Sequence, residues 1–490
     1  MSQSIQSPPS SIQEPFSFPF ADFNPKDFPK VGFTAAGRLT LQTEGRPQLP
    51  RPSAKPVRKL SVKQKAHLKA AYYWLRQYKP EPGTSPLAQV RGSIDGCLHL
   101  DDMGAKQEAE TLLFQGSLVD SSLVTKTPLH QQLGDWGYHQ EQVELYERFV
   151  DTASPQRQGL YLNGLGQAYR NLGQFGTALD CHQRAQRLAN ERGDRLTEAQ
   201  AWGGLGQVQW YMSRFRQSRD CHHQQWTLAG GKVPTQSRWR SFWQPQPLTP
   251  ILLSTEQQIE QCKAYTGIGA TYSSMDKARA LKPFGIALAM ATTLGNDQLR
   301  LEILKGLTDT YTFVGELTQG MNYAQQYLDL AIRCQSLYHQ HSALYCQACA
   351  YVCLRQYGEA IVLCEQALDM AKPLGHRVAQ ARLYSTLGVA YCYGLTQYDQ
   401  AIVYFKVSER LSTAMGDVQV ECLVQAHLAN CYIFLGEMEA AADYCERARS
   451  GAAKVEHPIP KALVLAVLAN AHWHQREVLQ CLWSLARSFG

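Results

Sequence analysis

The sequence predicts an all-α solenoid of antiparallel helix pairs, and three observations carry that prediction. One slot recurs along the chain, filled by Tyr169, Gln209, Tyr272, Tyr311, Tyr351, Tyr391, Tyr432 and His472 at spacings of 40, 63, 39, 40, 40, 41 and 40. Small residues recur at fixed offsets from it: Gly166, Ala178 and Ala185 in the first unit, Ala348, Ala360 and Ala367 in the fifth, Ala429, Ala441 and Ala448 in the seventh. They mark seams where helix backbones approach closely. Gly193, Gly295, Gly375 and Gly416 follow the second helix of their units, where a left-handed C-terminal cap favours a residue without a Cβ. A period of this size signals a repeat array in which each unit buries its apolar face against its neighbours.

Residues 1–56 hold ten of the 23 prolines and the phenylalanines Phe16, Phe18, Phe20, Phe23, Phe28 and Phe33. Such proline density without a sustained period predicts a disordered arm. Its aromatics suit a docking motif or an arm that packs on the protein's own groove. Residues 57–129 are expected to form a basic helical segment that caps the solenoid. There Ser61 can cap a helix carrying Leu68, Ala71, Tyr72 and Leu75, with further helices at Pro86 to Leu100 and Lys106 to Phe114, and another at Gln140 to Val150. Ten basic residues and no acid lie between Arg46 and Pro80, so with a formal net charge of +6 the other 455 residues sum to −4. A basic stretch on a mildly acidic body is either a solvated tail or a contact for an anionic surface. The solenoid, residues 130–490, holds about eight units, and the spacing of 63 is one unit plus an insertion of roughly 23 residues. The inserted loop, 230–256, interleaves Trp239, Phe242 and Trp243 with Lys232, Arg238 and Arg240. Such a loop stacks on bases, anchors in a partner's pocket or folds back on the solenoid.

In the first unit the grammar reads Leu165, Gly166, Tyr169, Gly173, Phe175, Ala178, His182 and Ala185. This order resembles the tetratricopeptide-repeat consensus and covers roughly residues 130–490. Units near 40 residues, rather than ~34, are similar to those of kinesin light chains, spindle-orientation scaffolds and the sensor arms of bacterial STAND signalling NTPases. The stretch with Leu129, His130, Leu133, Trp136, Gly137, Tyr138, Glu141 and Tyr146 looks most like the last. The resemblance implies a right-handed superhelix, a bacterial source and a protein-interaction scaffold or adaptor that binds a peptide-like or helical segment of a partner protein in its concave groove. The phosphate-binding motif of the NTPase module does not occur, since Gly230, Gly231, Lys232 and Val233 are only a fragment of it. The alternative reading is a nucleic-acid-associated protein, or a signalling regulatory arm that works with a separately encoded NTPase or effector.

In this repeat family the groove-facing positions lie six and two residues before the tyrosine slot and one and two after it. They give Asn163, Gln167, Arg170 and Asn171 in the first unit, and Lys305, Asp309, Thr312 and Phe313 in the fourth. The fifth to eighth units contribute Tyr345, Val352, Tyr393, Asn430, Ile433, Phe434 and Asn470. The expectation is a polar N-terminal zone and an apolar C-terminal one, with Trp239 and Trp243 as further partner contacts.

Catalysis finds no residues to use: H-E-x-x-H, G-x-S-x-G and G-x-G-x-x-G are all missing from the sequence. Cys346, Cys349 and Cys353, near His339 and His341, line one helix face and read as buried thiols rather than a metal site. Cys181-His182 and Cys221-His222-His223 recur 40 residues apart in the slot that holds Phe284 and Phe405 elsewhere, which makes them structural. No cofactor or metal is expected. The longest apolar run, near Ala462 to Ala469, is far short of the ~18 residues of a membrane span. With no secretory signal after Met1, the expected location is cytoplasmic.

Overall fold

A computed structural model describes residues 60–474, except 82–83, 116–127, 152, 154, 232–252 and 457, together with 31–33 and 39–41. Those last six residues form an antiparallel pair, β1 (Val31–Phe33) and β2 (Leu39–Leu41), with Val31 opposite Leu41. Disorder was expected there; the strands sit in a window from Lys30 to Arg46 that has no proline, which leaves every backbone N–H available. The remainder of the arm lies outside the described residues. Elsewhere the described chain is helical, an all-α repeat solenoid.

The chain divides into two compact units, one of residues 1–79 and 92–113, the other of 80–91 and 114–490. The first contains α1 (Val62–Tyr72), a π-helical turn at Tyr73–Gln77, most of α2 (Pro86–Asp102) and most of α3 (Lys106–Gln115). Ser61 starts α1 with a capping box: its Oγ accepts from the Gln64 N–H at 3.2 Å while its own N–H donates to Gln64 Oε1 at 3.1 Å.

The second unit stacks helix pairs. They are α4 (Leu129–Trp136) with α5 (His139–Val150), α6 (Pro155–Asn171) with α7 (Phe175–Arg192), α8 (Arg195–Tyr211) with α9 (Phe215–Leu228), and α10 (Thr255–Met275) with α11 (Lys277–Thr293). Then come α12 (Asp297–Val314) with α13 (Leu317–Arg333), α14 (Leu337–Cys353) with α15 (Tyr357–Ala371), α16 (Arg377–Val389) with α17 (Tyr398–Met415), α18 (Val418–Leu435) with α19 (Met438–Lys454), and finally α20 (Pro458–His474). The pair α4–α5 precedes the first unit legible from the period. First helices of successive pairs pack directly on one another, which makes them the tighter, inner wall.

Local chemistry sets the turns. Several second helices hand over to a capped first helix: Gly193 takes φ 68°, and Asp194 accepts from the Thr197 N–H at 3.1 Å; Asn296 and Asp417 cap α12 and α18 in the same way. The turn within a pair also demands positive φ, even where the residue is Ser213 (57°), Arg355 (61°) or Thr396 (53°). Crowding of Cβ there costs about 1–2 kcal/mol. Thr396→Gly should therefore raise stability by about 1 kcal/mol in chemical denaturation; an unchanged midpoint would contradict this account of the turn. The single spacing of 41 also has a structural cause: Tyr391 and Tyr398 are one residue further apart than Tyr351 and Tyr357, and a π-helical turn at Ala390–Gly394 absorbs the extra residue.

Between several pairs, one ring of the second helix wedges against glycines. A Cβ on Gly166 or Gly204 would fall 2.5 or 2.1 Å from His182, one on Gly206 or Gly267 within 2.7 or 2.3 Å of His222, and one on Gly269 or Gly306 within 3.0 or 2.4 Å of Phe284. The histidine slot is thus packing. Ala401 is wholly buried in the seam near Phe405, so Ala401→Leu should overpack it and cost ~1–3 kcal/mol by thermal or urea unfolding.

The winding of the second unit brings its early pairs against its late ones. Gly137, between α4 and α5, accepts from His376 Nε2 at 2.9 Å through its carbonyl, and the Asp135 carbonyl accepts from Ser336 Oγ. Phe175, Ala178 and Val208 form one apolar cluster with Val378, Ala381 and Met415. Ser213 Oγ donates to Gln419 at 3.0 Å, and the Arg216 N–H donates to Glu456 at 3.1 Å. The superhelix closes on itself along this seam.

Candidate functional site

The inner wall carries a stripe of side chains three, four and seven residues apart on each first helix. On α12 it runs Glu302, Lys305, Asp309, Phe313; on α14 Tyr338, Tyr345, Cys349; on α16 Arg382, Val389 and, in the π-helical turn, Tyr393. Winding adds Arg170 of α6 with Trp210 and Tyr211 of α8. The Arg170 guanidinium lies 6.0 Å from the Tyr211 ring centre, that of Arg382 5.7 and 5.5 Å from Trp210 and Tyr211, and Lys305 Nζ 5.9 Å from Tyr338. Trp210 is fixed by its Nε1–H, which donates to the Ala270 carbonyl and Ser274 Oγ.

Three cations and three tyrosines thus converge with two carboxylates. On this wall Glu302 keeps 45% of its side chain in contact with solvent. Burial pushes the Glu302 carboxyl up, but His339, Lys305 and Arg170 outweigh it and hold the group below the usual range. Asp309 goes the other way, raised by burial against the pull of Lys305, the Cys346 thiol and Arg382. Burial also opposes the Lys305 charge, while Tyr338, Tyr211, Tyr327 and Glu302 overcome it. The cluster is net cationic and aromatic.

Of the residues expected in the groove, Arg170, Lys305, Asp309 and Tyr345 come together here. Tyr393, Asn430 and Asn470 form a separate chain, in which Asn470 Nδ2 donates to Asn430 Oδ1 at 2.8 Å and Asn430 Nδ2 to Tyr393 Oη at 3.1 Å. Asn163 is occupied between pairs, donating to the Thr197 carbonyl and meeting His182 Nδ1 at 3.2 Å, while Gln167 stays exposed. Asn171 bridges Arg170 and His139. One position after the tyrosine slot needs correction. Ile433 is 2% exposed in the core, as are Thr312 and Cys392, because a step of 100° turns that side chain toward the next pair; Arg170 is buried as well. The next position, Phe313 or Phe434, is exposed, and Val352 is half-buried. Trp239 and Trp243 lie outside the described residues. The sequence reading missed Glu302, Tyr338 and Arg382, which a stripe continued two turns toward the N-terminus would have found.

The thiol–imidazole pairs are unsuited to nucleophilic work. Burial pushes the Cys181 and Cys221 thiols up to about 11 and the His182 and His222 imidazoles down to about 3 and about 4. Cys346, Cys349 and the two upstream histidines also part company: Cys346 donates to Asp309 at 3.3 Å, His339 meets Tyr327 Oη at 2.8 Å and His341 meets His376.

Family models for the tetratricopeptide repeat match residues 157–224 and 424–448. Those two stretches are tetratricopeptide repeats. No curated protein matches the sequence. Among solved structures, the chain is similar to the Rap conjugation gene regulator of plasmid pLS20 in complex with the Phr* peptide, at 12% identity and a TM-score of 0.48, covering 80% of this chain and 94% of that one. It is also similar to the apo quorum sensor NprR from B. thuringiensis, at 17% identity and a TM-score of 0.42, covering 75% and 100%. A third is the STAND protein with a tetratricopeptide-repeat sensor from Pyrococcus horikoshii, at 14% identity and a TM-score of 0.43, covering 88% and 63%. No helix among the described residues of the protein is long and apolar enough to cross a membrane.

Proposed function

We propose that the protein is an interaction scaffold whose inner channel holds a peptide-like segment of a partner, with an acidic side chain or chain-terminal carboxylate of that segment at Arg170, Lys305 and Arg382. The observation that carries this is the convergence of those three cations on Tyr211, Tyr338 and Tyr345. The aromatic faces supply flat contact area and the cations favour an anion. A preformed wall costs the receptor little conformational entropy on binding.

A second contact surface follows from how the chain covers itself. The turn after α6 is covered by Val378 and Met415, and the start of α9 by Glu456. The equivalent edge of later pairs exposes Met275, Phe313, Leu354, Leu395 and Phe434. This edge suits the apolar end of a partner helix, continuing the contacts the chain makes with itself.

Selection from a displayed library of random dodecapeptides tests both readings. Enriched peptides should carry acidic residues and lose at least tenfold in affinity to the Lys305→Ala and Arg382→Ala variants. Peptides insensitive to both but lost on Phe313→Asp would move the site to the edge. No enrichment would defeat the proposal.

A further inference from the structure

Within the first unit, α1 presents Lys63, Lys65 and Lys69, and among its residues only Ala71 is fully buried. Two polar contacts reach from it to α2 and the following turn: Gln64 Nε2 donates to the Met103 carbonyl at 3.0 Å, and His67 faces the last turn of α2. There His67 Nδ1 lies 3.2 Å from His99 Nδ1 and 3.6 Å from Asp102 Oδ2, and the three atoms all fall within 4.8 Å of one another.

We propose that His67, His99 and Asp102 form a zinc-type metal site that ties α1 to α2. Metal–nitrogen bonds of about 2.0–2.1 Å in a tetrahedral site place neighbouring ligand atoms about 3.3 Å apart, near the 3.2 and 3.6 Å that separate His67 from its two partners here. His99 and Asp102 stand three residues apart on one helix, so both project from the same face, and His67 comes from the facing helix. Asp102, with 36% of its side chain exposed, has room to rotate and close the third edge. Two imidazoles and one carboxylate are a borderline N/O set suited to Zn²⁺, with water in the fourth position. Among the described residues no other group of His, Cys, Asp and Glu brings three ligand atoms this close. Binding the ion would add a covalent-strength tie between α1 and α2.

The test uses the full chain, made without a polyhistidine tag, stripped with a chelator, and titrated with Zn²⁺ and with Co²⁺ as a visible probe. About one Co²⁺ should bind per chain with the strong visible absorption of four-coordinate cobalt. Zinc should displace it and slow amide exchange in α1. His67→Ala and the conservative Asp102→Asn should weaken binding at least tenfold, while His341→Ala, elsewhere in the chain, leaves it intact. Asp102→Asn keeps the shape of an exposed side chain, so retention of its helical signal separates loss of metal from loss of fold. Failure to bind either metal, or undiminished binding in both site variants, would overturn the proposal and leave a simple imidazole–imidazole hydrogen bond.

Discussion

Lowering the pH from 7 toward 4 should destabilise the solenoid steeply, beginning at the seam where early and late pairs meet. The Gly137 carbonyl can only accept, so His376 Nε2 carries the proton there, and His376 Nδ1 accepts from His341 Nε2 at 2.8 Å. His139 Nε2 accepts from Asn171 at 2.9 Å. Each of these rings is neutral, and a second proton on His376 or His139 would face an N–H donor. Burial lowers His376 to about 4 and carries His139 and His341 well below the ordinary value of 6.5. His130, His339, His222 and His427 are likewise pushed to about 4 by burial. The folded state therefore binds fewer protons than the unfolded chain, so stability is complete above about pH 6.5 and is lost as the pH falls toward 4. A full shift of this size corresponds to about 3 kcal/mol per histidine. Asp135, raised by burial to about 7, runs the other way, as do Asp309, Asp417 and Glu141, which burial also raises; acid relieves their cost, but these four carboxyls are fewer than the histidines that burial lowers. Urea midpoints measured from pH 8 to pH 4 check the slope. His376→Gln, which can still donate to Gly137 and accept from His341, should move the acid transition to lower pH; an unmoved transition would place the sensitivity elsewhere.

Met415→Asp should cost about 3 kcal/mol or more, through lost apolar burial and an unpaired charge in the seam. Met415 packs with Val378 and Ala381 against Phe175, Ala178 and Val208, and a Cβ on Gly173 would fall 2.3 Å from its sulfur. The charge can regain water only by parting the seam. Nitroxide labels at the exposed positions 174 and 377 should then report a longer, broader distance distribution while helical circular dichroism persists. Val403→Asp, on the exposed face of the same second helix, should stay within about 0.5 kcal/mol of the parent and keep the distance short. Equal effects of the two substitutions would contradict closure.

The repeat period, the small-residue seams and the capping residues were legible in the sequence because each is a local rule repeated eight times. His182 and His222 could be recognised as structural for the same reason, long before their glycine neighbours were seen. The seam was not legible. It joins Gly137 to His376 and Gly173 to Met415, residues more than 200 positions apart, and no local pattern encodes which turn meets which. The same winding explains why Arg170 and Arg382 share the Tyr211 ring although they belong to different ends of the array. Ile433 was placed on the wrong side because consecutive residues of a helix point 100° apart: the first residue after the tyrosine slot turns into the core in that unit, whereas Arg170, at the same position of the first unit, reaches the Tyr211 ring. The role of Phe313 and Phe434 at the edge likewise depends on what covers the corresponding turns of earlier pairs.

The central claim is that a partner segment lies in the inner channel. It is tested most directly by placing a benzoylphenylalanine photo-crosslinker at position 345 on the inner wall, or at position 403 on the outer one, and irradiating each with the tightest peptide from the library. The account predicts efficient crosslinking from 345, abolished by Arg382→Ala, and none from 403. Crosslinks from 403, or from neither position while the peptide remains bound, would contradict it.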